Sequence, residues 1–395
     1  MIILKFKILV SSDKYKGSLS ALQVCNIIKE SIIEVDKRFE VIISPMADGG
    51  EGTVETLVES QRGKYVDLEV TGPLGEPVKA RFGIVGDGIA VIEMASASGL
   101  VLVPEEKRNP MVTTTYGTGE LIKKALDMGC SKVIIGIGGS ATNDGGMGMA
   151  QALGYKFYDS EGRLLGLGGK ELIKLCNING SGIHPAISSC RFYAACDVDN
   201  LLTGTRGAAC VYAPQKGADS IMVKELDSGL SNFARVVKKD LGREVGKLKG
   251  AGAAGGLGAG LAAFLNARIR PGADIIIEAT HLEDKIKDAD LVITGEGTMD
   301  RQTFFGKSAY GIAKLARKYN IPVITINGSV LIGREDIDKN YSGLTDGNFS
   351  IINKPMEPGE AIRTGKKLLK NTVKELITFY LSVIEKSNHK ESGRF

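Results

Sequence analysis

The chain contains no tryptophan, and aromatic residues make up 6% of its 395 positions. Single-stranded nucleic acids are held on aromatic stacking platforms, so that class of partner is not expected. Histidine is nearly as scarce. His184, His281 and His389 lie far apart and give no imidazole-rich metal centre. No basic tract accompanies the net charge of +4, which comes from 50 basic residues against 46 acidic ones. Duplex nucleic acid and anionic membranes call for a concentrated positive face and are not expected either. No apolar run approaches the roughly 18 residues that a membrane span needs. The small-residue stretch Ala251–Leu265 has GxxxG spacing, but it is short and reads as close packing. No G-x-S-x-G elbow is present, so a serine hydrolase lacks its nucleophile turn. Six cysteines form no C-x-x-C pair and read as the reduced thiols of a cytosolic protein. The opening MIILKFKILV is broken by lysines and runs into a strand, unlike a secretory leader. The cytoplasm is the expected compartment.

Glycine is what the chain has in excess. Its 51 glycines are close to twice the usual share of about 7%, and they gather in turns. The stretch that organises the rest is Lys132–Gly148: a β-branched strand (Val133, Ile134, Ile135, Ile137), a glycine-rich loop from Gly138 to Gly146, then a helix begun by MGMAQAL. Strand, glycine turn and helix start together aim backbone N–H groups at an anion. Two other turns combine glycine with acids, Asp48–Gly52 and Gly295–Asp300.

A length of 395 residues suggests two domains. Strands are expected at Phe6–Val10, Val41–Ser44, Leu291–Thr294, Pro322–Ile326 and Phe349–Ile352. Helices are expected after Ser18 or Ser20, over Thr53–Ser60, over Lys307–Tyr319 and from Pro358 to Ile384, the doubly wound pattern of a parallel sheet. Between these, Tyr65–Val70, Val78–Ile84 and Ile89–Met94 read as antiparallel hairpins joined by Gly/Pro turns. Helices at Thr118–Asp127 and Ala218–Leu241 and a strand at Phe192–Ala195 follow. The fold class is therefore α/β: a discontinuous Rossmann-like domain from residues 1–62 and 286–395, with a mixed α/β domain, 63–285, inserted.

Two motif-like stretches carry little. Gly136–Ala141 fits G-x-G-x-x-A after a strand, but its glycines run on and the helix starts late. Gly306-Lys307-Ser308 resembles the end of a P-loop without the leading glycine. What remains is a set of acids and lysines in glycine turns. Phosphoryl transfer needs a phosphate cradle, a divalent cation on oxygen ligands and a group that orients the acceptor hydroxyl. Asp48, Glu51, Asp144, Asp197, Glu296 and Asp300 are candidate carboxylates, and Lys16, Lys216 and Lys307 are candidate cations.

Seven motifs in order, SDKYKGSLSA, ADGGEGTVE, GIGGSATNDGGMG, APQKGA, GAGAAGGLGAGL, RPGAD and ITGEGTMDRQTFFGK, resemble the bacterial type-I glycerate kinases from about Phe6 to the last helix. The resemblance implies ATP-dependent phosphorylation of D-glycerate to 2-phosphoglycerate, and an active site in a cleft between a Rossmann-like domain and an inserted α/β domain. Lys16 matches the family lysine after the first strand, and Asp48 and Glu51 match its acidic glycine turn. Asp144 lies in the SATNDGG signature, Asp197 in DVxNPL, and Glu296, Asp300 and Gln302 in GEGxxDxQT. Leu201 stands where the family usually has proline, and Ala213 replaces a glycine before PQKGA; both bear on loop shape.

The expected site follows. Lys16 and Asp197 are catalytic, Asp197 orienting the attacking hydroxyl. Gly138, Gly139, Ser140, Thr142, Gly252, Gly255, Gly256, Arg270, Glu296, Asp300, Gln302 and Lys307 bind substrate and phosphate. Asp48, Glu51 and Asp144 hold Mg²⁺. The small-molecule partners are ATP and D-glycerate, and a homodimer is left open. Alternatives at this point are a kinase for a related hydroxy acid or one forming 3-phosphoglycerate, a hydroxy-acid sensor without turnover, and a nucleotide-dependent oxidoreductase.

Overall fold

The computed structural model describes residues 6–304, 308–341 and 343–392. The chain divides into two compact units, Met1–Ala47 with Ile276–Phe395, and Asp48–Ile275. The Thr53–Ser60 helix, expected in the first unit, lies in the second. Val54 and Val58 of that helix pack over Gly83, where any side chain would collide with them. The Val54 amide also donates to the Glu93 carboxylate at 2.8 Å, anchoring the helix start to the same sheet.

The first unit is built on a parallel five-stranded sheet. Its order is Gly347–Ser350, Val323–Asn327, Leu291–Thr294, Lys7–Val10, Glu40–Ile43. Following the chain, the sheet reverses direction between Lys7–Val10 and Leu291–Thr294, which is the topological switch of a doubly wound fold. Ile8, Val10, Val292 and Ile293 are fully buried, as strands covered on both faces require. The Ala21–Val35 helix starts at Ser20, whose hydroxyl accepts from the Gln23 amide while the Gln23 side chain accepts from the Ser20 amide. Its apolar face (Val24, Ile28, Ile32) shares a core with Leu368, Leu369, Val373 and Ile377 of the last helix. That helix, Pro358–Ser392, outruns the expected end at Ile384. The residues beyond, including Glu385, Lys386, Lys390 and Glu391, are polar but have good helix propensity.

The second unit carries a six-stranded mixed sheet. Its order is Arg268–Arg270, Arg191–Ala195, Lys132–Gly136, Ile89–Glu93, Pro77–Val85, Lys64–Thr71. The first four strands are parallel and the last two antiparallel. Helices Tyr116–Asp127, Met147–Ala152, Ser220–Leu241 and Ala253–Leu265 enclose a core that includes Phe82, Phe157, Phe233 and Phe264. Asp219 caps the longest of these helices, accepting from the amides of Ile221 and Met222. The Arg268–Arg270 strand and the Lys156–Tyr158/Asn177–Asn179 hairpin were not anticipated, since three residues carry no readable period. Among the described residues no helix is long and apolar enough to cross a membrane. All six cysteines are free thiols, and burial pushes Cys25 up to about 12.

The reciprocal Ser20–Gln23 cap fixes the entry to the first unit's leading helix. Ser20→Ala should lower unfolding stability by about 1 kcal/mol, read from the urea midpoint at unchanged slope. No shift in midpoint would show that the cap is idle.

Candidate active site

The four parallel strands of the second unit end in one row, with Glu93, Gly136, Ala195 and Arg270 side by side in register. In open α/β sheets ligands gather outside such carboxyl ends. A cavity of about 470 Å³ opens there, lined by Asp48, Gly138, Gly139, Ser140, Asp197, Tyr212, Gln215, Lys216, Ala253 and Ala254, among others.

Main-chain contacts shape it. A Cβ on Gly272 would run into the Asp48 carbonyl, and one on Gly49 would come 2.6 Å from the Ala195 Cβ. The Asp48–Gly50 turn is therefore pressed directly onto the strand ends. The Asp48 carboxylate accepts from the Gly50 amide at 3.0 Å, and that of Asp197 accepts from the Gly272 amide at 2.9 Å. The loop after Gly136 pairs with Gly99, through Leu100 N donating to Gly139 O and Ala141 N to Ser98 O. The amides of Gly138, Gly139 and Ser140 have no protein acceptor among the described residues. They are available to an anionic ligand.

Beneath this loop lies Lys216, only 1% exposed. Its ammonium donates to Ser140 Oγ at 2.8 Å and to the Thr142 carbonyl at 2.7 Å. Burial pushes its pKa down to about 7, and the Asp144 carboxylate works in the opposite direction. Asp144 has no exposed surface. Its oxygens accept from the amide and hydroxyl of Thr115, both at 2.8 Å, and from the amides of Gly146 and Gly148 at 3.0 and 3.3 Å. Burial raises its pKa and these four donors oppose the rise.

Asp144 does not face the cavity; it organises the loop and the start of the Met147–Ala152 helix. Glu51 is exposed and does not line the cavity. Among the described residues no three of His, Cys, Asp and Glu assemble into a metal cage, so the Asp48, Glu51 and Asp144 set is not brought together. Gly252, Gly255 and Gly256 do not line the cavity either; Ala253 and Ala254 do. A Cβ on Gly255, whose φ is +66°, would run into the Thr142 carbonyl, so the residue serves close backbone packing. Thr142 is buried and contributes its carbonyl to Lys216. Arg270 is not a lining residue; its guanidinium lies 6.0 Å from the centre of the Tyr193 ring. Gly138, Gly139, Ser140, Asp48 and Asp197 do come together in the cavity. Sequence reasoning assigned no place to Tyr212 and Gln215. Gln215 and Lys216 belong to the APQKGA motif, which was the available signal.

The first unit gathers its own set at its switch point. Asp13 N and Ser12 Oγ both donate to the Gly295 carbonyl at 2.9 Å, and the Ser308 hydroxyl reaches the Asp13 carboxylate at 3.0 Å. Lys16 is exposed and Glu296 buried. A Cβ on Gly297 would lie 3.1 Å from the Lys16 amide, so the two loops touch. Asp300 accepts from the Thr303 amide at 3.3 Å, capping the short helix Arg301–Phe304 that contains Gln302. Lys307 lies outside the described residues.

The profile of the Glycerate kinase family matches residues 8–381. The chain belongs to the glycerate kinase family. A glycerate kinase of Halalkalibacterium halodurans is 47% identical to this kinase over 370 residues, covering 93% of this chain and 97% of its own. A glycerate 2-kinase of Escherichia coli is 50% identical over 345 residues, covering 86% and 91%. A solved crystal structure described as a glycerate kinase 2 from Salmonella typhimurium has a TM-score of 0.89 and 45% identity, covering 96% and 99%. The G-x-G-x-x-A pattern leads to no dinucleotide turn in this kinase, since the next helix begins only at Met147.

Lys216 couples the loop to pH. Unfolded, this lysine titrates near 10.5; folded, at about 7. Between those values the unfolded chain binds the extra proton, so the site's contribution to stability rises as pH increases. The stability difference between the parent kinase and Lys216→Met should therefore grow from neutral pH upward, by up to about 1.4 kcal/mol per pH unit. Urea unfolding of both proteins across this range checks it, and a pH-independent difference would contradict it.

Proposed function

We propose that this kinase transfers the γ-phosphoryl group of ATP to the 2-hydroxyl of D-glycerate, giving 2-phosphoglycerate and ADP in the cytoplasm. The observation that carries the reading is the second unit's cavity: acceptor-free loop amides at Gly138–Ser140, a cation beneath them, and two carboxylates at the rim. Transfer through a loose transition state needs positioning and charge stabilisation more than covalent chemistry. The loop amides hold phosphate oxygens, with Lys216 fixing the loop from below and adding positive potential. Asp197, held by the Gly272 amide, orients the attacking hydroxyl and accepts its proton late. The Tyr212 hydroxyl, which donates to Asn200 Oδ1 at 2.7 Å, and the Gln215 amide are neutral hydrogen-bonding groups of the cavity, suited to a small polyhydroxylated acid and able to penalise analogues lacking a hydroxyl.

Mg²⁺ fits this cavity by the chemistry of its donors. Such a cation is held by one or two carboxylates together with substrate phosphates, and Asp48, which lines the cavity, is the carboxylate we assign to it. The cation neutralises phosphate charge when bound. Lys16 and Glu296, at the first unit's strand ends, are the groups there most suited to substrate charge and hydroxyls.

Enolase accepts 2-phosphoglycerate and not its 3-isomer. The kinase incubated with ATP, Mg²⁺, D-glycerate and enolase should therefore generate phosphoenolpyruvate absorbance without added mutase. A signal that requires phosphoglycerate mutase would move the phosphate to the 3-hydroxyl. In the same assay Asp197→Asn should reduce kcat by about 10²- to 10⁴-fold with an unchanged melting temperature; undiminished turnover would remove Asp197 from the mechanism. Asp48→Asn should shift the Mg²⁺ titration to higher concentration, and an unshifted titration would end its metal role.

A further inference from the structure

The second unit has another cavity, of about 520 Å³, where the parallel strands Arg191–Ala195 and Arg268–Arg270 begin. It is at the opposite end of those strands from the candidate active site and shares no lining residue with it. Three arginines line it, from three separate elements: Arg191 and Arg268 open the two strands, and Arg243 follows the Ser220–Leu241 helix. None of the three is paired with a carboxylate among the described residues, and neither aspartate nor glutamate lines the cavity. The cavity also receives the end of the Ala253–Leu265 helix, whose dipole alone would repel an anion. Two carbonyls near that end are already taken, Ala262 O by Arg243 Nη1 at 2.8 Å and Phe264 O by the Tyr155 hydroxyl at 2.9 Å. Ile187 and Phe264 supply an apolar wall.

Like charges brought together with no counter-charge repel, and the planar fork of arginine matches carboxylate and phosphate oxygens bidentately. We propose that this cavity is a second ligand site, which binds a small organic anion carrying two or more negative charges. The guanidiniums take its phosphate or carboxylate groups, and the wall of Ile187 and Phe264 takes its carbon skeleton. The reading stands independently of the reaction assigned to the other cavity.

Titration calorimetry of the full chain, without Mg²⁺, with citrate and separately with inorganic tripolyphosphate tests it. Saturable binding is expected for at least one anion, and the tighter of the two tells a carboxylate ligand from a phosphate ligand. The double variant Arg191→Ala/Arg268→Ala should bind the preferred anion about tenfold or more weakly, while Asp197→Asn binds it as the parent does. Both arginines are exposed, so folding should survive. If the double variant melts early, the single charge reversal Arg268→Glu should abolish binding on its own. Equal affinity in the parent and the arginine variants overturns the proposal. So does the absence of any saturable binding, or a loss of binding in Asp197→Asn with none in the arginine variants.

Discussion

Two ionisable side chains withdrawn from water hold the loop on which the candidate active site depends. Burying a lone charge is strongly unfavourable unless hydrogen bonds replace hydration. Asp144 meets that condition with four donors, three of them backbone amides. Lys216 meets it only in part, with a hydroxyl and a carbonyl belonging to the loop itself, and burial still draws its pKa down to about 7. The segment from Ser140 to Gly148 is thus gripped at both ends, from below by an ammonium and from within by a carboxylate. The amides of Gly138 to Ser140 lie at the start of this segment and inherit its fixed position. Preorganised donors of this kind stabilise developing charge without reorganising during reaction.

Much of the architecture was legible because it follows local periodicity. The Leu291–Thr294 strand and the Thr53–Ser60 helix begin and end where the pattern places them. The antiparallel half of the second sheet follows from its Gly/Pro turns. The candidate site was legible only in part. A glycine that admits a ligand and a glycine that admits another backbone look alike in sequence. Gly138 and Gly139 line the cavity, whereas Gly255 meets the Thr142 carbonyl. Asp144 and Asp48 each precede a pair of glycines, yet one is sealed in the core and the other lies at the rim. The difference comes from Thr115, which lies 29 positions from Asp144 along the chain and donates twice to it. Such long-range partners leave no trace in a local pattern. Lys216 was visible as a cation within a motif, but its burial and its bond to Ser140, 76 positions away, were not.

The two units solve the same problem with different sheets. In the first, the order of five parallel strands leaves a switch point where the loops carrying Asp13, Lys16 and Glu296 meet. In the second, four parallel strands end flush and the antiparallel pair extends the sheet away from them. In each unit the acidic and basic groups stand at carboxyl ends of strands, where the sheet itself supplies rigidity and the loops supply chemistry.

The tight packing of Gly255 and Gly272 against neighbouring carbonyls, and of Gly49 against the Ala195 Cβ, has a practical corollary for redesign. Even a methyl group at these positions would displace the segments that support the cavity. Variation in what the cavity accepts must therefore come from its rim, where Tyr212 and Gln215 present neutral polar groups. A library confined to those two positions would explore substrate scope while leaving the scaffold untouched, whereas randomising the glycines would mostly yield chains that fail to fold.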